Sequence, residues 1–175
     1  FFNTVDGAED SRLIAFDDLV AGSIAVTAST SFQGGEFLFR HAAQRDCWAE
    51  MDLLIGYRWL QLDDDLLIEE ATQSLSAAAP GTSFDLFDRF ETSNSFNGPE
   101  IGMTLRRQIA PCWSLEMLAK VGIGNVNSVV TIDGETITVA PTGTTVAEGG
   151  LLALPTNIGR YERDKLATAT ELGVK

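Results

Sequence analysis

Histidine is almost absent from this sequence. His41 is the only one among 175 residues, which excludes a multi-histidine metal centre built from this segment. Placed beside an expected turn, His41 reads as an interface residue. Cysteine is nearly as scarce. Cys47 and Cys112 hold equivalent places, each before a Trp, and strands starting there would be separated by one intervening strand. That is roughly 9 to 10 Å, beyond the Cα separation a disulfide spans, although an oxidising compartment would allow a bridge. No run approaches the roughly 18 apolar residues of a transmembrane helix, so any membrane role falls to strands. Cations are few as well, 12 against 25 acidic residues, and the net charge of -13 disfavours nucleic acid and anionic membrane surfaces as partners. The glycines are scattered and form no phosphate loop. An initiating Met and a charged-then-apolar leader are missing, so Phe1 is read as a processed or truncated end.

What is present is a repeat. The stretch from Phe96 to Gly124, FNGPEIGMTLRRQIAPCWSLEMLAKVGIG, reads as two alternating strands around a turn at Ala110, Pro111 and Cys112. An earlier stretch from Phe32 to Arg58 repeats its Phe-x-Gly start, the Glu after it, the Cys-Trp and the Glu-Met. Glu171 to Lys175 begins a third copy. Repeated hairpins build closed antiparallel barrels or repetitive sheets.

The alternation has period two. Trp113, Leu115, Met117, Ala119, Val121 and Ile123 are apolar, with Ser114, Glu116, Lys120, Gly122 and Gly124 between them. Ala49, Met51, Leu53, Ile55, Tyr57 and Trp59 keep the same phase, and Phe37, Phe39, Ile101, Met103, Leu105, Leu166, Leu172 and Val174 extend the apolar face. Arg107 is the one fixed charge in that set. A soluble sandwich would alternate in the same way with its apolar side inward. Span length leans towards lipid, because each run is about 10 residues and a strand tilted near 45° crosses a bilayer in roughly 9 to 11. Tyr57 and Trp59 at one end and Trp113 at the other sit where interfacial girdle aromatics belong. Trp48 breaks the phase, and a local bulge is the expected cause.

The expected fold is therefore all-β, an antiparallel meander of long strands forming part of an outer-membrane β-barrel. Residues 1–175 read as a single domain, with 1–20 a loosely ordered N-terminal segment and 21–175 the hairpin repeats. Arg12 to Phe16 is a short strand. Long strands are expected from Ile24 to Ala42, with Gly34-Gly35 as a kink or bulge, from Trp48 to Glu70, and from Phe84 to Ile109 with a break at Asn97-Gly98-Pro99. Asp133-Gly134, between two β-branched runs, is a type I′ hairpin signal. Ala71 to Thr82 and Ala140 to Thr156 are long loops, so short turns lie at one end and long loops at the other.

Opposed residues of an antiparallel pair share a face. Pairing Ile109 with Trp113 sets Arg106 opposite Glu116, and pairing Ala42 with Trp48 sets Arg40 opposite Glu50. The inward, lumen-facing candidates are Arg40, Glu50, Asp52, Arg58, Glu100, Arg106, Glu116 and Lys120. Paired carboxylates such as Glu50 and Glu116 could serve a glycosidase, but each has a basic neighbour, so structural ion pairing is the expectation. The acidic excess falls in the N-terminal segment and the loops, where Asp63-Asp64-Asp65 lacks the alternation of a calcium loop and would collect divalent cations only weakly. No catalytic, cofactor-binding or metal set emerges.

The run from Asp52 to Asp63, DLLIGYRWLQLD, then Phe90, Thr92, Asn94, Phe96 and Gly98 at every second position, then Cys112 to Glu116, Gly124-Asn125, and Thr156 to Tyr161, TNIGRY, resembles the Putative beta barrel porin-7 family of bacterial outer-membrane proteins. The resemblance covers nearly the whole chain from about Ile24. It implies a porin-like barrel in the lipid bilayer of the outer membrane, doing no chemistry, with passive passage of small solutes or a structural, surface role. It also implies a fragment, because about five long strands cannot close a barrel that needs eight or more. The alternative from the residues alone is a soluble β-sandwich that binds or adheres.

Overall fold

The computed structural model describes residues 2–3, 7–9 and 11–175, and all of its regular structure is β. A short ladder pairs β1 (Phe2–Asn3) with β2 (Ala8–Glu9). The remaining strands are β3 (Val20–Arg45), β4 (Ala49–Ser74), β5 (Ser83–Ala110), β6 (Trp113–Ala140), β7 (Gly143–Glu148) and β8 (Gly159–Val174). They make an antiparallel meander in the order β3-β4-β5-β6, with β7 and β8 both on the far edge of β6. Among the described residues β3 has only β4 as a strand neighbour, and β8 has only β6. The expected N-terminal segment falls partly outside the described residues. No strand forms over Arg12–Phe16, and only Phe16 makes a bridge, to Val20.

The long strands are uninterrupted, and close backbone approach explains the glycines that the sequence offered as breaks. A Cβ on Gly98 would lie 2.3 Å from the Ile123 carbonyl oxygen, and one on Gly124 would lie 2.2 Å from that of Asn97. The two glycines therefore face each other across β5 and β6, and the break expected at Asn97-Gly98-Pro99 does not occur. Gly34 and Gly35 produce no kink either. A Cβ on Gly35 would meet the Trp59 indole nitrogen at 2.8 Å, so the ring lies over the glycine of the neighbouring strand and fills the space its missing side chain leaves.

The Asp133-Gly134 hairpin is also absent, because β6 runs straight through it and reverses only at Pro141-Thr142. Pairing of β6 with β7 then begins at Ala140 and Gly143, and Gly143 takes the φ of 143° that the turn requires. Gly134 serves packing instead. A Cβ there would be 2.6 Å from that of Ala153.

By contact density the chain divides into two compact units, one of Phe1–Ser29, Asp65–Glu91 and Thr131–Arg160, the other of Thr30–Asp64, Thr92–Val130 and Tyr161–Lys175. In the first, Ile68, Leu86 and Ala153 are buried beside Glu70, Thr72 and Asp88. In the second, burial runs opposite to the rule for soluble proteins. Odd positions of β4 to β6 are exposed, with Ile55 at 61%, Ile101 at 62% and Ile123 at 52%, while Asp52, Arg58, Glu100 and Lys120 on the even positions are buried. Leu53, Ile55, Ile101, Met103, Ala119 and Val121 line one shallow apolar groove, so these strands share the phase expected from sequence.

Crowding at the facing glycines makes register testable. Gly98→Val should destabilise the protein by roughly 1–3 kcal/mol through overpacking. Its urea midpoint in detergent should fall well below that of an exposed outer-face change such as Val121→Ala.

Candidate functional site

Each of the five long strands contributes one charged side chain to a single lattice: Glu36 from β3, Arg58 from β4, Glu100 from β5, Lys120 from β6 and Glu171 from β8. Every carboxylate meets both cations. The Arg58 guanidinium lies 2.6 Å from Glu36, 2.5 Å from Glu100 and 2.5 Å from Glu171. The Lys120 ammonium lies 2.7 Å from Glu36, 2.9 Å from Glu171 and 3.9 Å from Glu100. In a flat sheet with strands about 4.8 Å apart, Glu36 and Lys120 would stand roughly 14 Å from each other. Their contact means that this unit curls towards its even face.

Local sequence makes the lattice fit. A Cβ on Gly102 would press on the Lys120 Cγ at 2.6 Å, so the glycine opposite leaves room for the lysine stem. Backbone bonds in both directions between Glu116 and Lys175, both 2.9 Å, set the β6–β8 register. Carried along the strands, that register puts Lys120 opposite Glu171. The charge of the lattice is uneven, three carboxylates against two cations, so one negative charge is left over. Each carboxylate in it is held by both cations.

Of the lumen-facing candidates, Arg58, Glu100 and Lys120 meet in this lattice. Arg106 and Glu116 pair with each other at 2.8 Å, as the second hairpin's register predicts, with Arg106 exposed and Glu116 half-buried. The first hairpin differs. Arg40 bonds Asp52, not Glu50, and Arg45 joins them. The turn comprises residues 46–48, later than expected, and the Asp46 amide donates to the Ala49 carbonyl at 2.8 Å. Each residue of β3 is thus set further along β4, which takes Arg40 past Glu50. The same shift accounts for Trp48, which lies in the turn and is free of strand phase without any bulge. Tyr57, Trp59 and Trp113 are all exposed on the apolar side. Cys47 and Cys112 are unbridged and exposed, and His41 borders the apolar groove.

Glu36 and Glu171 share the polar phase of their strands, which marks them as inward positions from sequence, but parity alone carries no hint that they converge. Asp88, one of the acids near the expected Ala71 to Thr82 loop, is fully buried on β5. The aspartate triplet disperses among separate partners: Asp63 accepts from Gln61, Asp64 from Thr30, and Asp65 pairs with Arg89 at 2.8 Å. Among the described residues no His, Cys, Asp and Glu are grouped to hold a metal ion.

This combination, a polar side with buried charge and an apolar side that stays exposed, belongs to strands whose outer solvent is hydrocarbon. The model of the family described as Putative beta barrel porin-7 matches residues 1–175, the whole chain. The chain belongs to that family. No curated protein matches it. Within this porin family member, the lattice ties five strands together through their charged side chains.

Two outcomes check the electrostatics. Lys120→Met leaves three carboxylates facing Arg58 alone and should cost about 3–5 kcal/mol, whereas Arg106→Ala at the more exposed pair should cost less than about 1 kcal/mol. Chemical denaturation in detergent reads both. Away from the apolar band, Asn125 and then Asn127 donate to Asp164 and hold its carboxyl below the usual value of 3.8. A depressed carboxylate stabilises the fold above its unfolded pKa, and the benefit is lost as pH falls through the folded one. Acid titration should therefore loosen β6 from β8 there below about pH 4, and the Asn125→Ala, Asn127→Ala double variant should flatten that step in amide exchange.

Proposed function

We propose that this chain is wall of a porin-type β-barrel in the bacterial outer membrane, its apolar face against the lipid bilayer and its even-numbered face lining the lumen. The observation that carries the reading is the inverted burial, with Asp52 and Glu100 each 1% exposed while Leu172 is 83% and Leu166 81% exposed. In water this same arrangement would leave its hydrophobic face solvated and enclose its charges, at a cost of about 25 cal/mol for every Å² of apolar surface so exposed, whereas a soluble sandwich packs that face inward. Dimensions agree. The ten steps from Ala49 to Trp59 cover roughly 33 Å along the strand, or about 25 Å of membrane normal at a tilt of 35–45°, the height of the apolar band in such barrels.

The half-paired edges of β3 and β8 call for further strands, since an open edge in hydrocarbon leaves each backbone polar group unmet at a cost of several kcal/mol. Function under this reading is passage of small solutes, without chemistry. The ion-pair lattice favours one second reading, a structural barrel whose lumen is filled by its own charges.

The full-length protein should require detergent or lipid to remain monodisperse and should give discrete conductance steps in planar bilayers. A monodisperse species without detergent would overturn the membrane reading. Detergent-dependent protein with no conductance would select the structural barrel.

A further inference from the structure

After β7 the chain does not pass directly into β8. Gly149, with a φ of 111°, turns it off the edge of β6, and the segment from Gly149 to Ile158 makes an excursion before β8 begins at Gly159. The excursion lands on the even face of β5 and β6. The Asp88 carboxylate accepts three consecutive backbone N–H groups, from Leu151 at 2.9 Å, Leu152 at 2.8 Å and Ala153 at 3.2 Å. Asp88 and Ala153 are both 0% exposed.

The surroundings are cut to fit. Beneath Ala153 lies Gly134, and a Cβ on Gly150 would collide with Asp88 itself. The Gly149 amide donates to the Gly134 carbonyl at 2.8 Å and the Thr136 hydroxyl donates back to the Gly149 carbonyl at 2.6 Å. Within the segment the Asn157 side chain accepts from the Leu154 amide at 2.7 Å and donates to the Leu152 carbonyl at 3.0 Å. A surface loop would leave these amides to water. Here one buried carboxylate takes several of them, a charge-assisted arrangement stronger than neutral backbone bonding.

We infer that the Gly149–Ile158 segment is an inserted loop that narrows the pore, and that Asp88 is the positioning residue that sets the size of solute admitted. The inference rests on the proposed lumen. It adds that passage is limited by a strap held on the polar wall, apart from the charged lattice. Asp88 touches no solute and acts through the loop it holds.

The test compares the wild-type protein, Asp88→Ala, and a variant in which residues 150–157 are replaced by a short glycine linker. Conductance in planar bilayers and the entry of neutral sugars of graded size into proteoliposomes are measured, with heat-modifiable gel mobility confirming the folded barrel. Both variants should conduct at least about twofold more than wild type and admit larger sugars. The linker variant keeps the test alive where Asp88→Ala fails to fold. Wild type that conducts beside folded variants of unchanged conductance and size limit would overturn the inference and leave the porin reading intact. A silent wild type with conducting variants supports it in the stronger form of a plug, and silence in all three overturns both readings. Position has its own readout: Leu152→Cys, made with Cys47→Ser and Cys112→Ser, should react with a small maleimide and resist a polymer-linked one. Equal reaction with both would place the loop outside the lumen and overturn the inference.

Discussion

Burying charge on one side of a sheet is tolerable only if each charge finds opposite partners, and this requirement governs the molecule. Glu100 is almost wholly removed from solvent, and an isolated carboxylate there would pay a desolvation cost of several kcal/mol. Arg58 and Lys120 offset it only because β4 and β6 flank β5 in fixed register and because Glu36 and Glu171 curl in from the strands beyond. Curvature of the sheet and neutralisation of its polar face are thus one condition. The apolar side has no comparable demand. Its residues need only stay clear of charge, and Arg107, close to the turn, is the exception the strand end allows.

Glycine distribution follows from the same condition. Long charged side chains laid across a sheet need neighbours without Cβ atoms, and Gly102 beside Lys120 answers that need. Elsewhere glycine admits another element. Gly35 receives the Trp59 ring and Gly134 receives Ala153. Reading such residues as punctuation fails for a physical reason: glycine permits turns and close approach equally, and only the partner strand shows which is in use.

That ambiguity marks the limit of what was legible. Period-two phase in Met51 to Trp59 and Trp113 to Ile123 was enough to assign faces, because a strand has no other way to alternate, and the tight turn at Pro111 was enough to pair Arg106 with Glu116. The first hairpin lacked such a fixed point. Gln44 to Cys47 is polar throughout and does not mark its own apex, so Arg40 was set against Glu50 when its partner is Asp52. Convergence of Glu36 with Lys120 depends on curling across three strand spacings, which no local pattern encodes. The burial of Asp88 depends on a segment more than sixty positions away in sequence.

The unbroken match of β5 to β6 has a kinetic side. Asp88 lies by Gly134, Gly98 by Gly124, Gly102 by Lys120 and Arg106 by Glu116, all on one unshifted ladder. A hairpin of this kind closes like a zip from its turn, and no inserted residue along it can absorb an early mistake. A slip of two positions at Pro111 would keep every side chain on its proper face and so escape the hydrophobic check. It would nevertheless take each glycine away from the backbone it accommodates. The glycines therefore act as proofreading marks spaced along the hairpin, detecting the one class of error that alternation cannot see.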